Sequence, residues 1–257
     1  MTEAARASLS ALPKETHAVL DELASALERA AGPNLAALVV HGSAVRGDFE
    51  PARSDVDVVV VLHDSSLERL DEVAEPLLLA RNAGRVEAMI LRLDEIARSA
   101  DVFPVFYADI AERHVVVAGS ARPFDGLEIE KRHLRLRLEQ ELREHKIRMK
   151  RAAVDASGQP RALAGALERK LRQVRSPLRA LLKLKGGSSG GPVGPLRDPS
   201  GIPEDRLEPV LRAAGAAYGV NVDALFHIRR DPGAAHAVFR KLLDAAVEDV
   251  DRMEDAA

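Results

Sequence analysis

His41-Gly42-Ser43-Ala44-Val45-Arg46-Gly47 and Asp55-Val56-Asp57-Val58-Val59-Val60-Val61-Leu62, with 11 residues between Ser43 and Asp55, decide the reading of this chain. Leu35 to His41 is a short apolar run that leads straight into Gly42-Ser43 and predicts a buried strand. Asp55 to Leu62 is β-branched and alternates at its start, which predicts a second. Residues two apart on a strand face the same side, so Asp55 and Asp57 project together. Two bare, ionised carboxylates so placed repel each other. A divalent metal relieves that, and Mg²⁺ prefers one or two carboxylates plus phosphate oxygens. Gly42 lets the backbone approach a phosphate closely. Ser43 adds a hydroxyl at a helix start, where free N–H groups favour an anion. The chemistry spelled out is binding of a metal–triphosphate.

Working outward, Thr2 to Ala31 has helical spacing through Val19, Leu20, Leu23 and Leu27 and is ended by Gly32-Pro33. Ser65 to Ala83 repeats that spacing through Leu67, Leu70, Val73 and Leu77. Val86 to Leu91 reads as a third strand and Val115 to Ala118 as a short fourth. An acidic residue inside an apolar strand is costly unless it binds a metal or pairs. Glu87 is therefore the candidate third carboxylate, and the competing reading pairs it with Arg85 or Arg81. From Leu127 onward the pattern is helical, with apolar stripes at Leu127, Leu134, Leu138, Leu142 and Met149 and at Leu167, Leu171, Val174, Leu178 and Leu181. Pro177 should kink or divide the second of these helices. Residues 186–201, rich in Gly, Pro and Ser, read as a flexible loop. Short helices follow over Pro203 to Ala217, Asn221 to His227 and Gly233 to Met253. Strands alternating with helices, then helices alone, predict an α/β (α+β) domain over 1–125 followed by an all-α domain over 126–257.

Composition narrows the classes. The chain has 257 residues, 46% hydrophobic and 30% charged, as expected of a globular protein. It has no cysteine, which excludes a disulfide scaffold, a thiolate zinc site and a cysteine nucleophile. No basic-then-apolar leader and no apolar run of the roughly 18 residues a membrane span needs is present, so a cytoplasmic protein is expected. The net charge of −3 hides an asymmetry: residues 131–185 hold 17 Lys and Arg against 5 Asp and Glu, leaving −15 for the remainder. Arg132, Arg135, Arg143, Lys146 and Lys150 flank the first apolar stripe; Arg172, Arg175, Arg179 and Lys183 flank the second. These cations read either as a solvated face or as the meeting place of an anionic acceptor. Nucleic acid stays open, since aromatic stacking residues are only 3% of the chain. Asp109, Glu112, Arg113 and His114 read as a charged turn, and His41 as a packed or surface side chain.

The Gly-Ser pair, the spacer and the Asp-x-Asp at a strand start resemble the signature of the DNA polymerase beta-type nucleotidyltransferases. Small enzymes of that superfamily with an appended helical domain, aminoglycoside adenylyltransferases among them, are similar in layout. The resemblance rests on Val40 to Leu91. It implies a small mixed sheet flanked by helices, with a helical bundle after it. It implies Mg²⁺ (two ions, with Mn²⁺ as a substitute) held by Asp55, Asp57 and Glu87, with Glu87 as metal ligand or as base for the acceptor hydroxyl. Gly42 and Ser43 would hold the β and γ phosphates. Arg46 and Arg53, in the intervening loop, could reach phosphates too. The implied reaction carries a nucleoside monophosphate from a triphosphate, ATP first among them, to a hydroxyl of an unidentified acceptor and releases pyrophosphate. The alternatives are a catalytically silent nucleotide-binding module and an antitoxin-type protein acting on a partner. Arg230-Asp-Pro-Gly-Ala-Ala-His236 has the Arg/His spacing of HEPN-type ribonucleases, but Pro232-Gly233 breaks the helix that pair needs.

Overall fold

The computed structural model describes residues 8–47, 49–52, 54–186 and 207–253. The chain divides into two compact units. One runs to Asp101 and resumes over Phe106–Glu128; the other takes Val102–Val105 and what is described from Ile129 onward.

The first unit holds helix α1 (Lys14–Ala31), strand β1 (Leu35–Val40), the one-turn helix α2 (Ser43–Arg46), β2 (Val56–Leu62), α3 (Leu67–Gly84), β3 (Val86–Arg92), α4 (Leu93–Ser99), most of α5 (Pro104–Glu112) and β4 (Val115–Gly119). The strands form one sheet in the order β3-β2-β1-β4. β1 pairs antiparallel with β2 and with β4, and β2 pairs parallel with β3. This is the small mixed sheet flanked by helices that the sequence implies. The helical spacing read from Thr2 is interrupted: Ser8 and Leu9 are helical, and α1 begins separately at Lys14. Pro13 has no N–H to donate and stands just ahead of Lys14, fixing the start there; residues 2–7 lie outside those described.

The unbroken Val and Leu of β1 and β2 read as strands buried on both faces, and they are. All six residues of β1 are buried, as are all of β2 except Asp57. Leu20, Leu23 and Leu27 of α1 and Val73 of α3 pack in one core with Leu38, Val40, Val58, Val60 and Leu62. Each such side chain contributes about 1.5–3 kcal/mol when fully buried. β3 is an edge strand, and Glu87, Ala88, Met89 and Ile90 are exposed.

The second unit is helical: α6 (Lys131–Asp155), α7 (Pro160–Gly186), α8 (Leu207–Tyr218), a 3₁₀ turn at Asp223–Phe226, and α9 (Pro232–Arg252). Leu134, Leu138, Leu142 and Met149 of α6 are buried, and so are Leu167, Leu171, Val174, Leu178 and Leu181 of α7. Leu127 precedes α6 and is only half-buried. α7 runs through Pro177 without dividing. Val174, Leu178 and Leu181 anchor both sides of the proline in the core, offsetting the one backbone hydrogen bond it removes. Asp231 caps α9, accepting from the Ala234 N–H at 2.9 Å. Arg230 therefore precedes that helix while His236 lies on it. The loop expected over residues 186–201 lies outside the described residues beyond Gly186.

Part of the basic stretch 131–185 is paired inside its own unit. On α6, Arg135 pairs with Glu139 (3.1 Å), Arg137 with Glu141 (2.8 Å), Arg151 with Asp155 (2.9 Å), and Arg148 with Glu144. Acids of α9 take others: Asp251 binds Arg143 at 2.8 Å, Asp244 binds Lys146 at 2.6 Å, and Asp249 binds Lys185 at 3.1 Å. Arg179 and Lys183 are buried with partners of their own. Most cations of α6 thus stand in intramolecular ion pairs.

Candidate active site

The turn after β1 and the start of β2 meet at one contact. Gly42 adopts φ +70° and ψ −148°, a conformation that a side chain disfavours. A Cβ placed there would stand 2.2 Å from Asp57 Oδ2. The glycine is required twice, by the backbone angle and by the carboxylate lying against it. One step earlier, the His41 N–H donates to the Asp57 carbonyl at 3.0 Å, so the strand pairing runs up to the turn. Ser43 then opens α2, and Arg46 closes it.

Asp57 is second in β2 and Glu87 second in β3, and the parallel register sets them side by side. Asp55 lies two residues upstream of Asp57, just ahead of the strand. The Asp57 carboxyl is held above the usual carboxylate range. Burial is the main cause; the Arg46 charge pulls the other way, and the charges of Asp55, Glu87 and Asp109 add to the burial. Burial and like charges disfavour the ionised form of this acid, and a bound cation would relieve that.

Two arginines already answer part of that charge. Arg85 Nη2 stands 2.9 Å from Asp55 Oδ1, with its Nε donating to the same oxygen at 2.9 Å and its Nη1 to the Ala52 carbonyl at 3.1 Å. Arg85 also ends α3 in the left-handed conformation, φ 53°. Arg81 Nη2 lies 3.4 Å from Glu87 Oε1, so Glu87 has the ion pair weighed for it in the sequence. Both pairs are exposed, and exposed pairs are worth about 0–1 kcal/mol, little hindrance to a metal or a phosphate. Among the described residues, no three Asp, Glu or His side chains are gathered closely enough to hold a metal ion. The donor set nevertheless fits a hard cation in kind: three carboxylates from two adjacent strand starts, one of them half-buried and short of compensation.

Arg46 points toward Asp109, a residue that sequence reading had assigned to a charged turn. Asp109 lies on α5, and Arg46 Nη1 donates to its Oδ2 at 3.1 Å, with the side chains 12% and 25% exposed. No local spacing links two residues 63 positions apart. Next to them the His41 ring meets Phe106 edge-on, centroids 5.8 Å apart, and burial lowers its pKa to about 4, keeping the imidazole neutral. Of the two readings the sequence allows, His41 is the packed side chain, just past the end of β1. A cavity of about 700 Å³ lies toward β4, bounded by Val45, His114, Arg122 and Asp125 among others; none of the three carboxylates lines it. Arg53 and Asp48 lie outside the described residues.

Residues 20–147 match the family described as nucleotidyltransferase domain. The chain carries a nucleotidyltransferase domain of the DNA polymerase beta type. That match spans the Gly42-Ser43 turn, Asp55, Asp57 and Glu87 together. Among solved structures, the chain is similar to spectinomycin adenyltransferase AAD(9) from Enterococcus faecialis, whose structure was determined with ATP and spectinomycin. The two share 12% identity, with 91% of this chain and 99% of that one covered and a TM-score of 0.51. At that identity the likeness speaks for the fold. A search of the curated proteins found no match. The nucleotidyltransferase assignment makes the protein a transferase acting on a nucleotide. No helix among the described residues is long and apolar enough to cross a membrane.

Proposed function

We propose that the protein is a Mg²⁺-dependent nucleotidyltransferase that moves a nucleoside monophosphate from a triphosphate, ATP foremost, to a hydroxyl of an acceptor and releases pyrophosphate. The observation that carries this reading is the Gly42–Asp57 contact: the small-residue turn and the strand carboxylate occupy one place. Gly42 and Ser43 bind the β and γ phosphates, the first by presenting bare backbone and the second by its hydroxyl. Arg46, and Arg53 from the adjoining loop, neutralise phosphate charge. Asp55, Asp57 and Glu87 are the residues that would hold Mg²⁺, or Mn²⁺ in its place. When bound, the metal would neutralise the phosphates and polarise the α-phosphorus toward in-line attack. Glu87, beside Asp57 but exposed, serves either as a metal ligand or as the acceptor of the proton of the attacking hydroxyl; its exposure supports the second role.

The catalytic half is residues 1–125, and the helical half is residues 126–257. The acceptor is a hydroxyl compound. An anionic acceptor gathered by residues 131–185 draws little support, because most cations of α6 are already paired. The spectinomycin bound to the structural neighbour makes small polar hydroxyl compounds the first to screen. The reading is tested by pyrophosphate release in the presence of ATP, Mg²⁺ and panels of such compounds. Release that needs an acceptor and stops in Asp57→Asn supports it; release unchanged in Asp57→Asn refutes it.

A further inference from the structure

We propose that Asp109 is a gate on the phosphate site: it holds Arg46 until a triphosphate takes its place, and so sets the affinity for nucleotide. The inference rests on the reading of Gly42, Ser43 and Arg46 as the triphosphate cradle. α2 is a single turn, so Ser43 and Arg46 move as one piece. The guanidinium of Arg46 interacts with two carboxylates. It binds Asp109 through a largely buried contact at 3.1 Å, and its charge acts on Asp57. Asp109 likewise acts on Asp57 and, across the turn, on His41.

A triphosphate brings roughly three to four negative charges into that setting, and Asp109 opposes it twice. It repels the incoming phosphates and it occupies the cation best placed to receive them. Carboxylate and phosphate oxygens offer a guanidinium the same planar, charge-assisted hydrogen bonds. The exchange therefore substitutes one oxygen anion for another on Arg46, so that the guanidinium stays paired while Asp109 gives up this partner. His41 does not rescue the carboxylate as a second cation, since burial keeps its imidazole neutral down to about pH 4.

The direction of the effect separates a gate from a structural strut. If Asp109 competes with phosphate, removing its charge tightens binding; if it only positions Arg46, removing it loosens binding. The probes are inorganic tripolyphosphate without metal and ATP with Mg²⁺, titrated calorimetrically into the full chain. Asp109→Asn should bind both more tightly, by about threefold to tenfold, and the gain should shrink as salt is raised. Asp109→Glu, which keeps the charge, should stay near wild type. In an Arg46→Gln background the gain from Asp109→Asn should vanish. Should Asp109→Asn fail to fold, Asp109→Ser gives the same comparison. Unchanged or weaker binding in a folded, charge-removed variant overturns the gate while leaving the transferase reading intact. A wild type that binds ATP under no condition overturns that reading and the gate with it.

Discussion

In the sheet-bearing unit one carboxylate, Asp57, sits half-buried against Gly42 with Asp55, Glu87 and Asp109 adding to its burden. In the helical unit a far larger number of charges is spread along α6 and α7, and most cations of α6 find an acid one turn away or on α9. The first region gathers few charges but leaves one of them, Asp57, half-buried among like charges; the second is rich in charge and pairs much of it internally. A tally of Lys and Arg points to the helical half, whereas the candidate site lies in the sheet-bearing one. What marks a site is charge that the fold does not answer, because burying or crowding like charges is costly unless a ligand relieves it.

The largest effect should come from closing the contact on which the sheet side depends. Gly42→Ala forces a Cβ to within 2.2 Å of Asp57 Oδ2 at a positive φ. It should abolish nucleotide binding and lower stability by about 2–4 kcal/mol, read by calorimetry and by denaturant unfolding. A variant of wild-type stability and affinity would mean that the turn and the strand are not held together as described.

Asp57→Asn should cut transfer at least about a hundredfold. Since folding holds this acid above its usual range, ionised Asp57 costs stability at neutral pH, so the variant should melt no lower than wild type. A marked loss of stability would show that Asp57 is a structural partner, contrary to its surroundings.

A pH series sharpens the same contrast from the other side of the turn. Folded His41 resists protonation until about pH 4, whereas the unfolded chain takes that proton near 6.5. Its stabilising effect is complete above about 6.5 and is lost as pH falls toward about 4. His41→Asn should flatten that part of the stability curve, and an unaltered slope would contradict a buried neutral ring.

The smallest effect belongs to the helical unit. Breaking the exposed Arg143–Asp251 pair by Arg143→Gln should cost about 0–1 kcal/mol and leave ATP affinity unchanged. A clear drop in ATP affinity would give α6 a role in nucleotide binding.

Much of the fold was legible because its signals are local. The apolar runs of β1 and β2 and the helical spacing of α3 and α6 depend only on neighbours in the chain. The pairing of Gly42-Ser43 with Asp-x-Asp was legible for the same reason, as was Glu87 as an acid out of place on a strand. The rest depends on what meets across the fold. Asp109 reaches Arg46 from a helix distant in sequence, Arg85 reaches Asp55 from the end of α3, and α9 supplies the acids that neutralise α6. No periodicity announces such partners, so the helical place of Asp109 beside Arg46 and the ion pairs of α6 are visible only in three dimensions.

The most direct test of the account is a calorimetric titration of ATP, GTP, CTP and UTP, with Mg²⁺ or with EDTA, into wild type and an Asp55→Ala/Asp57→Ala variant. The account predicts that wild type binds at least one triphosphate, that EDTA weakens the binding, and that the double variant loses the metal-dependent part. Triphosphate binding of equal strength with Mg²⁺, with EDTA and in the double variant would contradict it.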